Sequence, residues 1–442
     1  MNRNLLQPTT TVSFADVAHG TLIFDQKDES ERLILELIDT RWMQRLRAIS
    51  QTGNTRLVYM FAEHSRFGHC LGVAYLAVSL MKHLRETTPE LVRPYSNAVA
   101  AAALLHDVGH ISPGSHLAER IWSPESHGHH EQVSIRVILE DPEISSILKR
   151  YGPDLPALVT RILAEDESLP PWTHEIISGG GWNADRGNWA IVDSAMCAVS
   201  YGRYNVSALI DAFRLSSNGE MVLHESRLDA LTHFFVARDS MYRQVYQHRV
   251  LQAVDSMTQK VVLRLRDLIS TSGESPRSTL ERHGVFVDDT MLAILTVANY
   301  GEKLALEQLF DMTEAWWRYH IERWCRSGDK VLSDLATRHR DRRLFKTIRM
   351  QEGGNSAAIL EQVKAVAAEL GFDPRYYVTS VEDADAHRGK QEQAPKVLLD
   401  DGTVMPVTDV EPMIAQILTR PQKKRRWLSV PREVKAKLGF IR

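Results

Sequence analysis

The amino-acid sequence predicts a mainly α protein with a small α/β unit at its C-terminal end. Two observations carry that prediction. Apolar residues recur at three- and four-residue steps through most of the chain up to about residue 350, and β-rich segments gather after it. The composition agrees: 442 residues, 43% hydrophobic and 25% charged, describe a globular chain with room for one large or two to three ordinary domains. Two units are therefore expected, a helical core over 1–350 and a small α/β domain over 351–442.

The elements follow in order. Thr21–Phe24 reads as a strand. Residues 31–50 place Leu33, Ile34, Leu37, Ile38, Trp42, Leu46 and Ile49 on one stripe, which predicts an amphipathic helix. Further helices are expected at 71–84, 98–107, 133–139, 157–163, 189–200, 227–265 with one break, 288–300, 304–325 and 330–339. Between them, SNGEMVLH at 217–224 reads as the second arm of a small hairpin. After GGNS at 353–356, the helix 358–370 ends at Gly371, and YYVTSV, KVLL and TVMPV read as strands. Asp401-Gly402 between apolar arms is a hairpin signal, and Glu382–Gln393 a polar loop.

Charge and cysteine content exclude several classes. With 53 Lys+Arg against 56 Asp+Glu, the net charge of −3 gives no global basic field, so nucleic-acid binding is not expected. Lys423-Lys424-Arg425-Arg426 is expected to be a solvated surface. Three cysteines, Cys70, Cys197 and Cys325, lie far apart and do not suggest disulfides, which points to a reducing compartment. No apolar run is long enough to span a membrane, and the first residues lack signal-peptide character, so a cytoplasmic protein is expected.

Histidine placement is the functional lead: nine of the 18 lie between His64 and His130. HSRFGHCLG at 64–72, LLHDVGH at 104–110, SHLAE plus HGHHE at 115–131 and NADR at 183–186 are read together. An adjacent His106-Asp107 pair at the end of an apolar helix sets an imidazole and a carboxylate side by side at the core boundary, where a buried charge needs a partner. A divalent metal is the natural one, with His69 and Asp185 completing a His2Asp2 set. Such mixed ligation suits Fe, Mn, Zn or Ni, and less commonly Mg.

These segments, with HGTLIF, IDTRWMQRLRAISQTG, EIISGGGWNADRGNW, YGRYN and ARDSMYRQVYQHR, resemble the HD-domain phosphohydrolases. Within that superfamily they are most similar to the deoxynucleoside triphosphate triphosphohydrolases related to the vertebrate HD-domain dNTPase. The resemblance spans roughly residues 15 to 350 and implies an HD-domain helical core, with metal ligands at His69, His106, Asp107 and Asp185. It implies substrate contacts at Gln51 (base), Arg66, Arg186 and Arg238 (phosphates), Trp189 (sugar or base), Asp193 (sugar 3′-hydroxyl) and Tyr246 (sugar 2′ edge). It also implies an acid–base group of His110, His116, Glu119 and His130. Three arginines and a metal suit a triphosphate, and a carboxylate fixes an imidazole's tautomer. His127 and His129 are expected in a solvent-exposed loop, and His64 in a structural role.

The implied reaction releases a deoxynucleoside and inorganic triphosphate, using one divalent metal and, with the nucleotide, Mg. Another nucleotide substrate and a non-catalytic nucleotide sensor are the competing readings. A homo-oligomer, dimer or tetramer, is implied, and Asp39, Gln44 and Arg47 match a regulatory nucleotide site of the family. Departures from the family pattern concentrate beside the ligands. Gly68 stands where a Glu is usual, the 110–116 loop is one residue longer, and Asn183, Gly187 and Asn188 alter the segment around Asp185.

Overall fold

The computed structural model describes residues 10–115, 117–123, 128–270, 273–350, 356–383, 394–419 and 425–439. The chain is mainly α, as the periodicity predicts. Asp28 starts the first helix, Glu29–Leu37, by accepting from the backbone N–H groups of Ser30 and Glu31. The single helix expected over 31–50 is not continuous. It stops after Leu37 and resumes as Arg41–Arg45 and a 3-10 turn at Leu46–Ala48. The Thr40 hydroxyl donates to the Leu37 carbonyl and competes with helix continuation. The break sends the buried Arg45 guanidinium onto the carbonyls of His110, Leu309 and Phe310.

Two long helices carry the site. Arg66–Thr87 packs on Ser96–Leu105, whose alanines 100 to 103 are fully buried and allow close approach. A third helix, Ala184–Met196, crosses the first. The expected break in 227–265 falls after a single π-helical turn, Tyr242–Tyr246, between Leu228–Met241 and Arg249–Ser270. Such wide turns re-aim side chains.

Strands gather in three sheets. Thr11–Asp16 pairs antiparallel with Gly20–Asp25 in an N-terminal hairpin. Phe213–Leu215 and Met221–His224 form the expected hairpin, and Lys396–Leu398 adds to it in parallel, followed by Val404–Pro406 around Gly402 at φ +85°. Lys346–Met350 and Thr379–Asp383 flank Arg425–Val430. A clean division at residue 350 does not describe this pairing. The strand Lys346–Met350 belongs with the C-terminal sheet, while Val397, Val407 and Ile414 join the main core. No helix among the described residues is long and apolar enough to cross a membrane.

Candidate active site

Three helix ends bring the metal-type donors together. His69 sits in the first turn of Arg66–Thr87, and His106-Asp107 follow the last turn of Ser96–Leu105. Asp185 opens Ala184–Met196, a helix started by Asn183, whose side chain accepts from the Arg186 N–H and donates to the Gly179 carbonyl. His69 Nε2 lies 3.0 Å from Asp185 Oδ1 and 3.7 Å from Asp107 Oδ2, and His106 Nε2 lies 3.5 Å from Asp107 Oδ2. Both Nε2 atoms are buried and make no hydrogen bond. Two buried imidazole nitrogens without hydrogen bonds, facing two carboxylates, fit a divalent cation, because the set then gains the positive partner that its buried carboxylates need.

Electrostatics lead to the same place. Burial disfavours a charge on His106, but Asp107 and Asp185 outweigh it and raise its pKa to about 9, so a proton is held where a cation belongs. His106 Nδ1 faces the Ala103 carbonyl at 3.0 Å, which can only accept. The proton therefore sits on Nδ1 of the neutral ring and Nε2 is free to ligate. Burial pushes the Asp107 and Asp185 carboxyls up, yet the cationic neighbours, Arg66 beside Asp107 and the histidines beside both, hold them below the ordinary range.

The acid–base group lies alongside. His110 Nε2 is 3.2 Å from Asp107 Oδ1, and its ring stacks on His130 at 4.1 Å. Burial, then Arg66 and His130, keep His110 well below its ordinary pKa against the pull of Asp107. His130 Nδ1 meets buried Glu119 at 2.6 Å, which orients the ring. Gly109 permits this stacking. A Cβ there would fall 2.3 Å from the His130 carbonyl oxygen, so only glycine lets the helix His129–Glu140 approach. His116 and His127 lie outside the described residues. His129, expected in solvent, is buried beside Tyr300 because it opens that helix on its inner side.

His106, Asp107, His110, His130 and Asp185 line a cavity of about 700 Å3. Gln51, Arg66, Trp189, Asp193 and Tyr246 line it too, as the motif matching implied. Asp193 takes the Tyr246 hydroxyl on one oxygen and His64 Nε2 at 2.7 Å on the other, so the structural role of His64 is to hold Asp193. Trp189 packs edge-on against Tyr242 and Tyr246. Two expected phosphate ligands are not among the lining residues. Arg186 is turned onto the carbonyls of Gly179 and Gly181, and Arg238 is buried over the Tyr242 ring. In both, local acceptors or an aromatic face take the guanidinium. Arg120, which carries no motif signal, lines the cavity in their stead.

Asp39, Gln44 and Arg47 lie outside the cavity. Gln44 donates to the Ile38 carbonyl and accepts from Arg47, whose guanidinium stacks on Phe67 at 3.7 Å. Sequence reasoning also missed the cavity's far wall. It is built from Asn54, Gln252, Asp255 and Gln259 and closed by Thr379–Glu382 of the C-terminal sheet. The spacing of Gln252, Asp255 and Gln259, at three and four residues, was the available signal. Burial raises Asp255 to about 6, against an opposing hydrogen bond from Asn54.

Comparison with known proteins accords with this geometry. The HD domain family model matches residues 66–150, the stretch that holds His69, His106, Asp107, His110 and His130. Protein YwfO of Bacillus subtilis is 29% identical over 80% of this chain and 77% of its own length. Deoxynucleoside triphosphate triphosphohydrolase SAMHD1 of Danio rerio is 27% identical over 60% of this chain, and that match spans 46% of the relative. Among solved structures, a phosphohydrolase from Bacteroides thetaiotaomicron shares the fold at a TM-score of 0.79 and 22% identity, covering 95% of this chain and all of its own. A protein from Aquifex aeolicus reaches 0.70 at 26% identity, over 97% of this chain and 98% of its own. Residues 66–150 thus carry an HD domain, and the chain is similar to proteins that include deoxynucleoside triphosphate triphosphohydrolases.

Proposed function

We propose that the protein hydrolyses deoxynucleoside triphosphates to a deoxynucleoside and inorganic triphosphate. The observation that carries this reading is one cavity lined by His106, Asp107, Asp185 and His130 together with Trp189, Asp193 and Tyr246, with His69 set against Asp185 and Glu119 against His130 behind its wall. His69, His106, Asp107 and Asp185 would hold a divalent cation, which when bound supplies Lewis-acid stabilisation of charge on phosphoryl oxygens. Arg66 and Arg120 add cationic contacts to the triphosphate. His130, oriented by Glu119, donates the proton that the departing 5′-oxygen takes up as water adds to the α-phosphorus. Asp193 accepts from the sugar 3′-hydroxyl, and Tyr246 closes the 2′ edge against a ribonucleotide. SAMHD1 relatives support the nucleotide class.

The test is direct. Purified protein is incubated with Mn2+, Mg2+, Fe2+ or Ni2+ and each dNTP and NTP, with products resolved by ion exchange. Intact triphosphate with deoxynucleoside is expected. Stepwise phosphate loss, or turnover of NTPs alone, refutes the reading. The turned-aside Arg186 and Arg238 favour one alternative, a nucleotide with fewer phosphates, which the same assay detects with monophosphate substrates.

A further inference from the structure

The two histidines of the donor set are backed differently. Behind His106 is a backbone carbonyl, which fixes the ring with Nε2 unprotonated. Behind His69 is the side-chain amide of Asn188, fully buried and one helical turn beyond Asp185. Its Nδ2 lies 3.2 Å from the His69 carbonyl oxygen and 3.0 Å from His69 Nδ1, while its Oδ1 lies 2.9 Å from His19 Nε2. A carbonyl can only accept, so the amide nitrogen faces His69 and its two hydrogens serve the carbonyl and Nδ1. Nδ1 is then an acceptor, and the neutral ring carries its proton on Nε2, the atom that faces Asp107 and Asp185. A ligating imidazole nitrogen carries no proton.

The amide is tightly seated. A Cβ on Gly72 would fall 2.3 Å from Asn188 Oδ1 and 2.9 Å from Nδ2, so the amide occupies the space that this glycine leaves in the helix Arg66–Thr87. His19 belongs to the turn of the N-terminal hairpin, where Asp16 accepts from the N–H groups of Ala18 and His19. Sheet, helix and metal ligand are thus joined through one side chain.

We propose that Asn188, seated on Gly72 and anchored by His19, is the positioning residue that sets the tautomer of His69 and thereby the metal affinity of the site. This rests on the His2Asp2 reading above. As the amide is placed, it holds His69 away from its ligating form. To ligate, His69 moves its ring proton to Nδ1, and the amide rotates so that Oδ1 accepts it and Nδ2 donates to His19, giving up its bond to the His69 carbonyl. A neutral imidazole permits this, because one of its nitrogens accepts while the other donates. A carboxylate at 188 would accept from His69 and His19 together, with no rotation required.

Mn2+ titration of the full-length protein, with bound metal counted after desalting, tests the assignment. Asn188→Asp is expected to tighten Mn2+ binding about 10-fold, and Asn188→Leu, which orphans Nδ1–H, to weaken it by about 10- to 100-fold. Nitrogen-15 NMR of the metal-free protein reads the tautomer: the ring proton of His69 is expected on Nε2 in the wild type and on Nδ1 in Asn188→Asp. The Asp variant alters only the amide, so it keeps the test open if the Leu variant does not fold. Equal Mn2+ affinity and an unchanged tautomer in Asn188→Asp overturn the role of Asn188. A wild type that binds no Mn2+ overturns the metal reading itself.

Discussion

The two ends of the cavity are built to different standards. At the proposed metal end, four donors from three helices converge within 4 Å of one another's nearest partners, with His106 held by Ala103 and Asp107 by Arg66 and His110. In the proposed phosphate-binding set, of the three arginines implied by the motifs only Arg66, itself paired with Asp107, lines the cavity, while Arg186 and Arg238 are engaged elsewhere. Short adjacent motifs impose geometry on one another, whereas a long guanidinium goes to whichever acceptor its local turn provides. A preorganised charge centre beside adjustable arms suits a reaction in which the phosphoryl group must be held rigidly and the rest of the substrate is gripped on arrival.

The largest expected effect tests the rigid end. Asp107→Ala is expected to lower bound metal and hydrolysis to background while circular dichroism stays helical; hydrolysis at the wild-type rate contradicts the donor set. His130→Ala comes next, with a fall in kcat of about 10²–10⁴-fold and unchanged metal content, measured by steady-state kinetics and elemental analysis. Loss of metal in that variant would make His130 a ligand rather than an acid.

The adjustable end is read by a pair of variants. Arg120→Ala is expected to weaken triphosphate binding about 10-fold, in line with loss of one charged hydrogen bond. Arg186→Ala is expected to change KM by less than about 2-fold but to lower stability by about 1 kcal/mol, since its guanidinium bonds carbonyls of the 179–182 loop. The reverse order would show that Arg186 swings into the cavity when substrate binds.

The remaining test concerns stability at the far wall rather than activity. Asp255 is raised from 3.8 to about 6 in the folded protein, so between those values the folded state holds a proton that the unfolded state has released. Stability contributed by this group is therefore full below pH 4 and lost as pH rises through 6, by up to about 3 kcal/mol. Asp255→Asn, which mimics the protonated form, is expected to flatten that part of the pH–stability curve in urea melts. An unchanged slope would locate the titration elsewhere.

How much was legible in the sequence follows the same divide. His69, His106, Asp107 and Asp185 were readable because each stands in a short motif at a helix end, where residue type and position together fix direction. The helix stripe at 31–50 was readable as amphipathic but not as broken, since the Thr40 hydroxyl's choice of the Leu37 carbonyl leaves no trace in periodicity. Arg120 and the backing of His69 by Asn188 and His19 were not readable as partners, because those contacts join residues 119 and 169 positions apart. Directions of exposed or half-buried arginines are decided by tertiary acceptors, which no local pattern encodes.

The strand Thr379–Asp383, which closes the far wall, has a consequence for the order in which the molecule becomes competent as it leaves the ribosome. All four metal donors are made by residue 185, whereas this wall is made about 200 residues later. At synthesis rates of about 5–20 residues per second, that is a delay of roughly 10–40 s. If the four donors hold a cation, the nascent chain has that interval in which to take it up before this strand is made.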